Sequence, residues 1–212
     1  MTAPADNNLF EQLSADLAKT QQQVEQLTLE LQDAKAKLHQ LVYRDGLSGV
    51  YNRRYFGEML QKELERSKRY SSPFSLVILA IDDYARFNTT YGPDAGELVL
   101  MNIAKIIERE ARPSDIIARF GAEEFAVILT ETDLIGVKTF AERLCQCVAK
   151  MTTLHKGKEL KAAISIGGIT CEPNAGRVAE QDIPARAEQC LARARQLGPN
   201  HIEIEDLGNI PA

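Results

Sequence analysis

The residues best suited to chemistry are two adjacent acids, Glu123 and Glu124, in the stretch RFGAEEF. Apolar runs at residues 116–120 and 125–129 flank this stretch, and β-branched and aromatic residues fill both runs, which predicts a β-hairpin. With Gly121 first, the connection fits a two-residue type II′ turn. Carboxylates beside the free backbone amides of a tight turn suit a hard metal ion and a phosphate. An ordinary solvated hairpin tip is the alternative.

The composition excludes several classes of protein. The chain has 212 residues, of which 44% are hydrophobic, enough for one domain with a core and an appendage. With a net charge of -5, the chain lacks the broad basic surface that is expected of a protein that binds duplex nucleic acid. No apolar run approaches the roughly 18 residues of a membrane span, and no signal peptide opens the chain. The four cysteines lack metal-ligand spacing, which predicts reduced, buried thiols in a cytoplasmic protein.

A long helix must precede the segment that carries the acids. We define the seam as the a and d positions of a heptad repeat, where the spacing alternates between three and four residues. The seam residues are Phe10, Leu13, Leu17, Thr20, Val24, Leu27, Leu31, Ala34, Leu38 and Leu41. This narrow stripe predicts a dimerising coiled-coil helix over residues 9–43, after disordered residues 1–8. A single amphipathic helix lying on the domain is the alternative.

The remaining elements follow from apolar periodicity and turn residues. Residues 74–81 form a continuous apolar run, which predicts a buried central strand, and residues 162–170 predict another strand. Amphipathic patterns predict helices at residues 53–70, 95–111 and 133–151, and a last helix that ends near residue 197. Smaller predicted features are a hairpin at 154–158, a charged loop at 172–182 and an edge strand at 201–205. Asp82 fits the N-cap of the helix after the central strand. This order predicts helices packed on a mainly antiparallel sheet.

The stretch RFGAEEF resembles the signature hairpin of the GGDEF (diguanylate cyclase) family, GG[DE]EF, with Ala122 in place of the second glycine. The runs DGLSGVYNRRYF, from residue 45, and SIGG, from residue 165, resemble further segments of that family. The resemblance implies an α+β fold with the palm-like architecture of nucleotide cyclases. It assigns residues 44–206 to a GGDEF-like domain and residues 207–212 to a tail.

The resemblance also implies how the domain joins the preceding helix. In the family, an aspartate and an arginine of the segment that matches DGLSGVYNRRYF connect the preceding helix to the domain. Asp45, with Arg53 or Arg54, would take that part in this chain.

Members of the family condense two molecules of GTP into cyclic di-GMP with the help of divalent metal ions, Mg²⁺ or Mn²⁺. The resemblance makes Glu123 and Glu124 the catalytic acids, and Glu123 also a metal ligand. The family's other metal-binding aspartate falls on Ala80, whose methyl group cannot coordinate a metal. Three positions where the family has phosphate-binding cations are Ala85, Arg195 and Pro199. Only Arg195 retains a charge, so the resemblance implies a degenerate active site.

Contacts to the nucleotide base are better retained. Asn88 matches the family's base-reading asparagine, and Glu97 stands where the family has a second acid. An amide and a carboxylate suit the edges of guanine. Gly121 and Ala122 would lie where the backbone approaches a phosphate. For Asn88, an ordinary polar residue of a helix or turn is the alternative.

The segment Arg112-Pro-Ser-Asp115 resembles the RxxD inhibitory motif of the family, and five residues separate it from the hairpin signature. An arginine can present a planar fork to a phosphate or to the Hoogsteen edge of guanine. An aspartate can accept hydrogen bonds from the guanine N1 and amino groups. In the family this pair binds cyclic di-GMP, together with a further arginine. A surface ion pair is the alternative.

These residues support three hypotheses about function. The first is a degenerate, catalytically impaired GGDEF protein that binds cyclic di-GMP through Arg112 and Asp115 as a receptor or regulator, without a cofactor. The second is an active diguanylate cyclase that uses Mg²⁺ or Mn²⁺, and the third is a coiled-coil scaffold that binds no nucleotide. Expected partners are cyclic di-GMP, GTP, a second copy of the chain and an unidentified downstream protein. Neither nucleic acid nor a membrane span is expected, and the expected location is the bacterial cytoplasm.

Overall fold

The fold is seen in a computed structural model, which describes residues 4–172 and 182–209. The predicted charged loop at residues 172–182 lies almost entirely outside these ranges. The described helices are α1 (Pro4–Tyr43), α2 (Arg53–Tyr70), α3 (Tyr84–Tyr91), α4 (Pro93–Glu110), α5 (Leu134–Lys150) and α6 (Asp182–Leu197). The described strands are β1 (Tyr51–Asn52), β2 (Phe74–Ile81), β3 (Ile116–Arg119), β4 (Glu124–Thr130), β5 (Thr153–His155), β6 (Lys158–Leu160), β7 (Ile164–Cys171) and β8 (Ile202–Asp206). A short 3₁₀ helix follows at Leu207–Asn209.

The chain divides into two compact units, of which the first is α1 up to Val42 and the second begins at Tyr43. Helix α1 starts at Pro4, so the prediction of disorder over residues 1–8 is wrong for residues 4–8. Proline suits the start of a helix because its missing N–H group would have no intrahelical partner there.

The described seam residues lie exposed on α1. The exposed fractions of Leu17, Val24, Leu27, Leu31 and Leu38 lie between 54% and 63%. Most of the stability of a helix in a protein comes from packing of its apolar face. Because the described seam residues are exposed, this apolar face is available to pack against another helix. In ranges 4–172 and 182–209, no helix has the length and apolar content that crossing a membrane requires.

A six-stranded sheet forms the centre of the second unit, with strand order β1-β3-β4-β2-β7-β8. Strand β2 lies between β4 and β7 and pairs antiparallel with both, and β3 is also antiparallel to β4. The outer strands β1 and β8 pair in parallel with their neighbours. The predicted α+β fold, with a mainly antiparallel sheet flanked by helices, is confirmed.

Helices cover both faces of this sheet. On one face, Val77 and Leu79 of β2 belong to a core that includes residues of α4 and α5. On the other face, Leu76 and Ile78 belong to a core that includes residues of α2 and α6. Successive residues of a strand point to opposite faces, and every residue of β2 is buried. This double cover explains why the apolar run in the sequence is uninterrupted.

Three details near the ends of elements differ from the predictions. Helix α4 begins at Pro93, two residues before the predicted start, because proline is tolerated in the first turn. The N-cap of α3 is Asp83 and not Asp82, and Asp83 adopts a left-handed conformation without a side-chain capping bond. The predicted tail starts with Leu207, which is buried in the core.

Candidate functional site

The hairpin that carries the two acids is present, but its turn is wider than predicted. Strands β3 and β4 pair up to Arg119 and Phe125, and the N–H groups of Phe120 and Gly121 both donate to the carbonyl oxygen of Glu124, at 2.8 and 3.2 Å. A type II′ turn needs a positive φ at its first central residue, and Gly121 does not have one. That prediction is therefore wrong. Ala122 also lacks a positive φ, so alanine in place of the family's second glycine introduces no backbone strain.

Arg119, the last residue of β3, stabilises the wide turn through its side chain. Its guanidinium group donates to the carbonyl oxygens of Ala122, at 2.8 Å, and Gly121, at 3.3 Å. It also contacts Asp45, with Nη1 3.2 Å from Oδ1. The predicted partner of Asp45 was Arg53 or Arg54, and this prediction is wrong. Arg53 lies instead over the ring of Phe120, and the exposed Arg54 lies 3.6 Å from Glu58.

Asp45 anchors the segment that follows α1. Its Oδ1 accepts hydrogen bonds from the backbone N–H and the hydroxyl of Ser48, at 2.8 and 2.6 Å. Burial raises the pKa of the Asp45 carboxyl, but the bonds from Ser48 and the charge of Arg119 outweigh burial and hold the pKa below its ordinary value. Arg119 was missed in the sequence because an arginine next to a hairpin signature has no pattern that indicates its distant partner.

An open cleft of about 500 Å³ lies at the carboxyl end of β2. Four of the residues singled out from the sequence line it together: Ala85, Glu123, Arg195 and Pro199. Arg195 Nη2 lies 3.5 Å from Glu123 Oε1 and 3.4 Å from the carbonyl oxygen of Ile81. Arg195, the retained phosphate-binding cation of the prediction, therefore contacts Glu123, the predicted metal ligand.

The side chains around this cleft do not fit a divalent metal ion. Ala80 is fully buried and lies in register between Glu124 of β4 and Ser165 of β7, so it places a methyl group between polar neighbours. Glu123 is already paired with Arg195. Burial raises the pKa of the Glu124 carboxyl. Within the described residues, no three His, Cys, Asp or Glu side chains are grouped to hold a metal ion.

Asp82 does not replace the missing aspartate. Its Oδ1 accepts a hydrogen bond from the Ser165 hydroxyl at 2.7 Å, and its Oδ2 accepts from the backbone N–H of Asn200 at 2.9 Å. Both oxygens are thus engaged in holding β2, β7 and the segment before β8 together. Asp83 lines the cleft as well, and its side chain makes no capping bond.

The expected base-reading residues lie on α3 and α4, outside the lining of this cleft. The Asn88 Oδ1 atom is buried and has no hydrogen-bond partner within the described part of the chain. It lies against Gly96, and a Cβ atom at this position would displace the Asn88 side chain. Glu97, the next residue, is exposed. Because a buried polar atom without a partner costs free energy, Asn88 is suited to meet a ligand.

Arg112 and Asp115 are close together, but they do not form a side-chain ion pair. Asp115 is 9% exposed, and its carboxylate accepts hydrogen bonds from the backbone N–H of Arg112 at 2.8 Å and of Thr130 at 3.3 Å. Burial raises the pKa of this carboxyl. In ranges 4–172 and 182–209, no carboxylate oxygen lies within 4 Å of the Arg112 guanidinium group. The alternative of a surface ion pair is therefore wrong, and the arginine is free to bind an anion.

Arg112 and Asp115 line two clefts. We call the first the Arg143 cleft, of about 200 Å³; its lining also includes Glu110, Leu129, Thr132, Gly136, Thr139, Phe140 and Arg143. We call the second the Tyr51 cleft, of about 270 Å³; its lining also includes Arg44, Tyr51, Glu108, Ala111, Pro113 and Ile117. Arg143 is oriented by Glu110, with Nε 2.8 Å from Oε2. No feature of the sequence distinguished Arg143 from other exposed arginines on helices.

The comparisons with known proteins agree with this geometry. The family model "Diguanylate cyclase, GGDEF domain" matches residues 42–201. The probable diguanylate cyclase DgcT of Escherichia coli is 31% identical over 171 residues, which cover 80% of this chain and 37% of the relative. Diguanylate cyclase DgcP of Pseudomonas aeruginosa is 35% identical over 179 residues, covering 82% of this chain and 26% of the relative. The chain thus spans well under half the length of these relatives.

Solved structures share the fold. The coiled coil and GGDEF domain of DgcB from Caulobacter crescentus, in complex with cyclic di-GMP, matches with a TM-score of 0.77 and 25% identity, covering 91% of this chain and 98% of that one. Diguanylate cyclase SiaD from Pseudomonas aeruginosa, in complex with its activator SiaC, matches with a TM-score of 0.74 and 28% identity, covering 94% and 76%. The family match, the relatives and the signature hairpin lead to one conclusion: the chain belongs to the GGDEF family of diguanylate cyclase domains.

Proposed function

We propose that this protein is a receptor for cyclic di-GMP whose own cyclase site is impaired. One observation carries the proposal: the Arg112 guanidinium has no carboxylate partner within the described residues, and it stands beside the buried Asp115 where two clefts meet. We call the open cleft at the carboxyl end of β2 the cyclase cleft. Beside it, the buried Ala80 takes the place of the family's metal-binding aspartate, and in it Arg195 contacts Glu123.

The recognition chemistry follows from these groups. Arg112 supplies a planar set of donors for a phosphate or for the Hoogsteen edge of guanine. The Asp115 carboxylate accepts from the N1 and amino groups of guanine with lone pairs that its two backbone bonds leave free. Arg143, which shares a cleft with both, is the further arginine that completes the site. The likeness to the DgcB structure, which is in complex with cyclic di-GMP, supports cyclic di-GMP as the ligand.

An active diguanylate cyclase is the second candidate. The retained acids Glu123 and Glu124 favour it, as does Asn88 with its unpartnered oxygen, and the named relatives are described as diguanylate cyclases. This activity would need Mg²⁺ or Mn²⁺ held by Glu123, with Arg112 and Asp115 as the site of product inhibition.

Self-association belongs to the same proposal. The exposed seam of α1 would pair with the seam of a second copy, because parallel heptad helices bury a and d positions against each other. A dimer of receptors could then pass the bound state of its domains to a downstream protein.

The proposal is tested by titrating the full chain, stripped of nucleotide, with cyclic di-GMP in a calorimeter. Arg112→Ala and Asp115→Ala are expected to remove measurable binding, because each loses a charge-assisted contact to the ligand. Arg54→Ala is the matched control, since Arg54 is exposed and lies in neither cleft. Binding of equal strength in the wild type and Arg112→Ala would contradict the proposal.

A further inference from the structure

The Tyr51 cleft has no assigned role, and a second arginine shares it with Arg112. Arg44 Cζ lies 4.2 Å from the centroid of the Tyr51 ring, and its Nη1 donates to the carbonyl oxygen of Gly49 at 2.9 Å. The Tyr51 ring is itself stacked on Tyr55, with centroids 4.1 Å apart and an interplanar angle of 24°. These contacts place the Arg44 guanidinium group over the Tyr51 ring.

The cleft combines cationic and anionic groups, because Glu108 and Asp115 line it together with Arg44 and Arg112. Neither Arg44 nor Arg112 has a carboxylate oxygen within 4 Å in the part of the chain that the structure describes. Both guanidinium groups therefore face a space of about 270 Å³ without a direct ion pair, and the two carboxylates can accept hydrogen bonds from N–H groups of a ligand. Guanidinium groups bind phosphate oxygens in pairs of hydrogen bonds, and their planes also stack on nucleobases.

We propose that the Tyr51 cleft is part of the cyclic di-GMP site, and that Arg44, supported by Tyr51, binds a phosphodiester or stacks on a guanine of the ligand. This inference rests on the proposed function, because it extends the site from Arg112 to a second cleft. The bound ligand would then contact Arg44, the residue that directly follows the last residue of α1, Tyr43.

The test compares the affinity of full-length variants for cyclic di-GMP by calorimetry. Arg44→Ala is expected to bind about tenfold more weakly than wild type, because it loses a charge-assisted contact and a stacking surface. Arg44→Lys keeps the positive charge but loses the planar guanidinium group, so we expect its affinity for cyclic di-GMP to fall by about threefold. Arg54→Ala, an arginine of the same segment outside the cleft, is expected to bind like wild type.

The outcomes separate the inference from the proposed function. Wild-type affinity in both Arg44 variants, with binding lost in Arg112→Ala, would overturn the inference and leave the receptor function standing. Wild-type affinity in Arg112→Ala would overturn both. Thermal unfolding followed by circular dichroism checks the fold of each variant, and if Arg44→Ala does not fold, the affinity of Arg44→Lys decides.

Discussion

At the scale of single residues, Ala80 determines what the cyclase cleft can do. A carboxylate there would lie in register with Glu124, near Glu123 and its partner Arg195. The acids that line the cleft are instead Asp82, Asp83 and Glu123. Both oxygens of Asp82 accept hydrogen bonds, and Glu123 contacts Arg195. Mg²⁺ is bound through one or two carboxylates together with phosphates of the substrate, so we expect the missing carboxylate at Ala80 and the contact of Glu123 with Arg195 to weaken metal binding.

Ala80→Asp tests this interpretation most directly, because it restores a carboxylate at the position of the missing metal ligand. Without metal we expect the melting temperature to fall by roughly 5 °C or more, because the new carboxylate is buried without a counter-ion. Mn²⁺ or Mg²⁺ should then raise the melting temperature of this variant, since the metal pairs the new charge. Differential scanning fluorimetry with and without chelator measures both effects. Ala80→Asn is the control, and an equal response to metal in the wild type would contradict the prediction.

The raised pKa of Asp115 predicts how ligand binding depends on pH. Guanine N–H groups need the deprotonated carboxylate as acceptor, so protonation of Asp115 competes with the ligand. Burial places the pKa of Asp115 above the ordinary 3.8, so affinity for cyclic di-GMP should start to fall at a higher pH than it would with an ordinary aspartate. Below the pKa, the loss of affinity should approach tenfold for each pH unit. Calorimetric titrations between about pH 7.5 and about pH 4.5 measure this dependence. Asp115→Asn should bind weakly with a flat pH profile; a wild-type profile that is equally flat would contradict the account.

At the scale of elements, the close approach of α6 to β7 supports the cleft that contains Arg195. A Cβ atom at Gly167 of β7 would overlap the backbone of Leu191 and Ala187 in α6. Glycine therefore lets the helix lie directly on the strand. Since Arg195 is on the last turn of α6, this packing sets how far its guanidinium reaches toward Glu123.

Gly167→Ala should consequently destabilise the domain by about 3 kcal/mol or more, because rigid backbone must move to make room. Urea unfolding followed by circular dichroism measures the change. Gly57→Ala on α2 is the control: nothing lies within 4 Å of the added carbon. Alanine in that helix should be neutral or stabilise by up to about 1 kcal/mol. Equal stabilities for the two variants would refute this packing argument.

The same scale explains which features the sequence could predict. The bounds of α2 and β2 agree with the predictions because their apolar patterns are unbroken and local. The arms of the hairpin were predicted for the same reason, whereas its turn was not, because Arg119 fixes the turn through contacts with residues as distant as Asp45. Arg143 was missed because only the folded chain brings it to Asp115. Long-range partners leave no periodic signal.

At the scale of the whole molecule, the exposed seam of α1 is the surface through which we expect two copies of the chain to associate. Its described leucines and valine are more than half exposed, although they repeat with heptad spacing. Leu29 is also exposed, at 67%, but it lies on the opposite side of the repeat from the seam. The pair Leu27 and Leu29 therefore distinguishes a seam position from a solvent-facing one.

Leu27→Glu is expected to weaken self-association by about a hundredfold or more, because it places a charge in the buried seam of each helix. Leu29→Glu introduces the same charge on the outer side and should leave the dimer intact. Sedimentation velocity of the two full-length variants and the wild type measures the oligomeric state. A wild type that sediments as a monomer at high micromolar concentration would contradict the prediction.

The central claim is that this domain responds to cyclic di-GMP without producing it, and GTP turnover tests it most directly. Nucleotide-stripped full-length protein is incubated with GTP and Mg²⁺ or Mn²⁺, and the products are separated by chromatography. The account predicts no more cyclic di-GMP than a Glu123→Ala control forms, since Ala80 offers no metal ligand and Arg195 is paired with Glu123. Cyclic di-GMP that accumulates with the wild type and disappears in Glu123→Ala would contradict the account and identify an active cyclase.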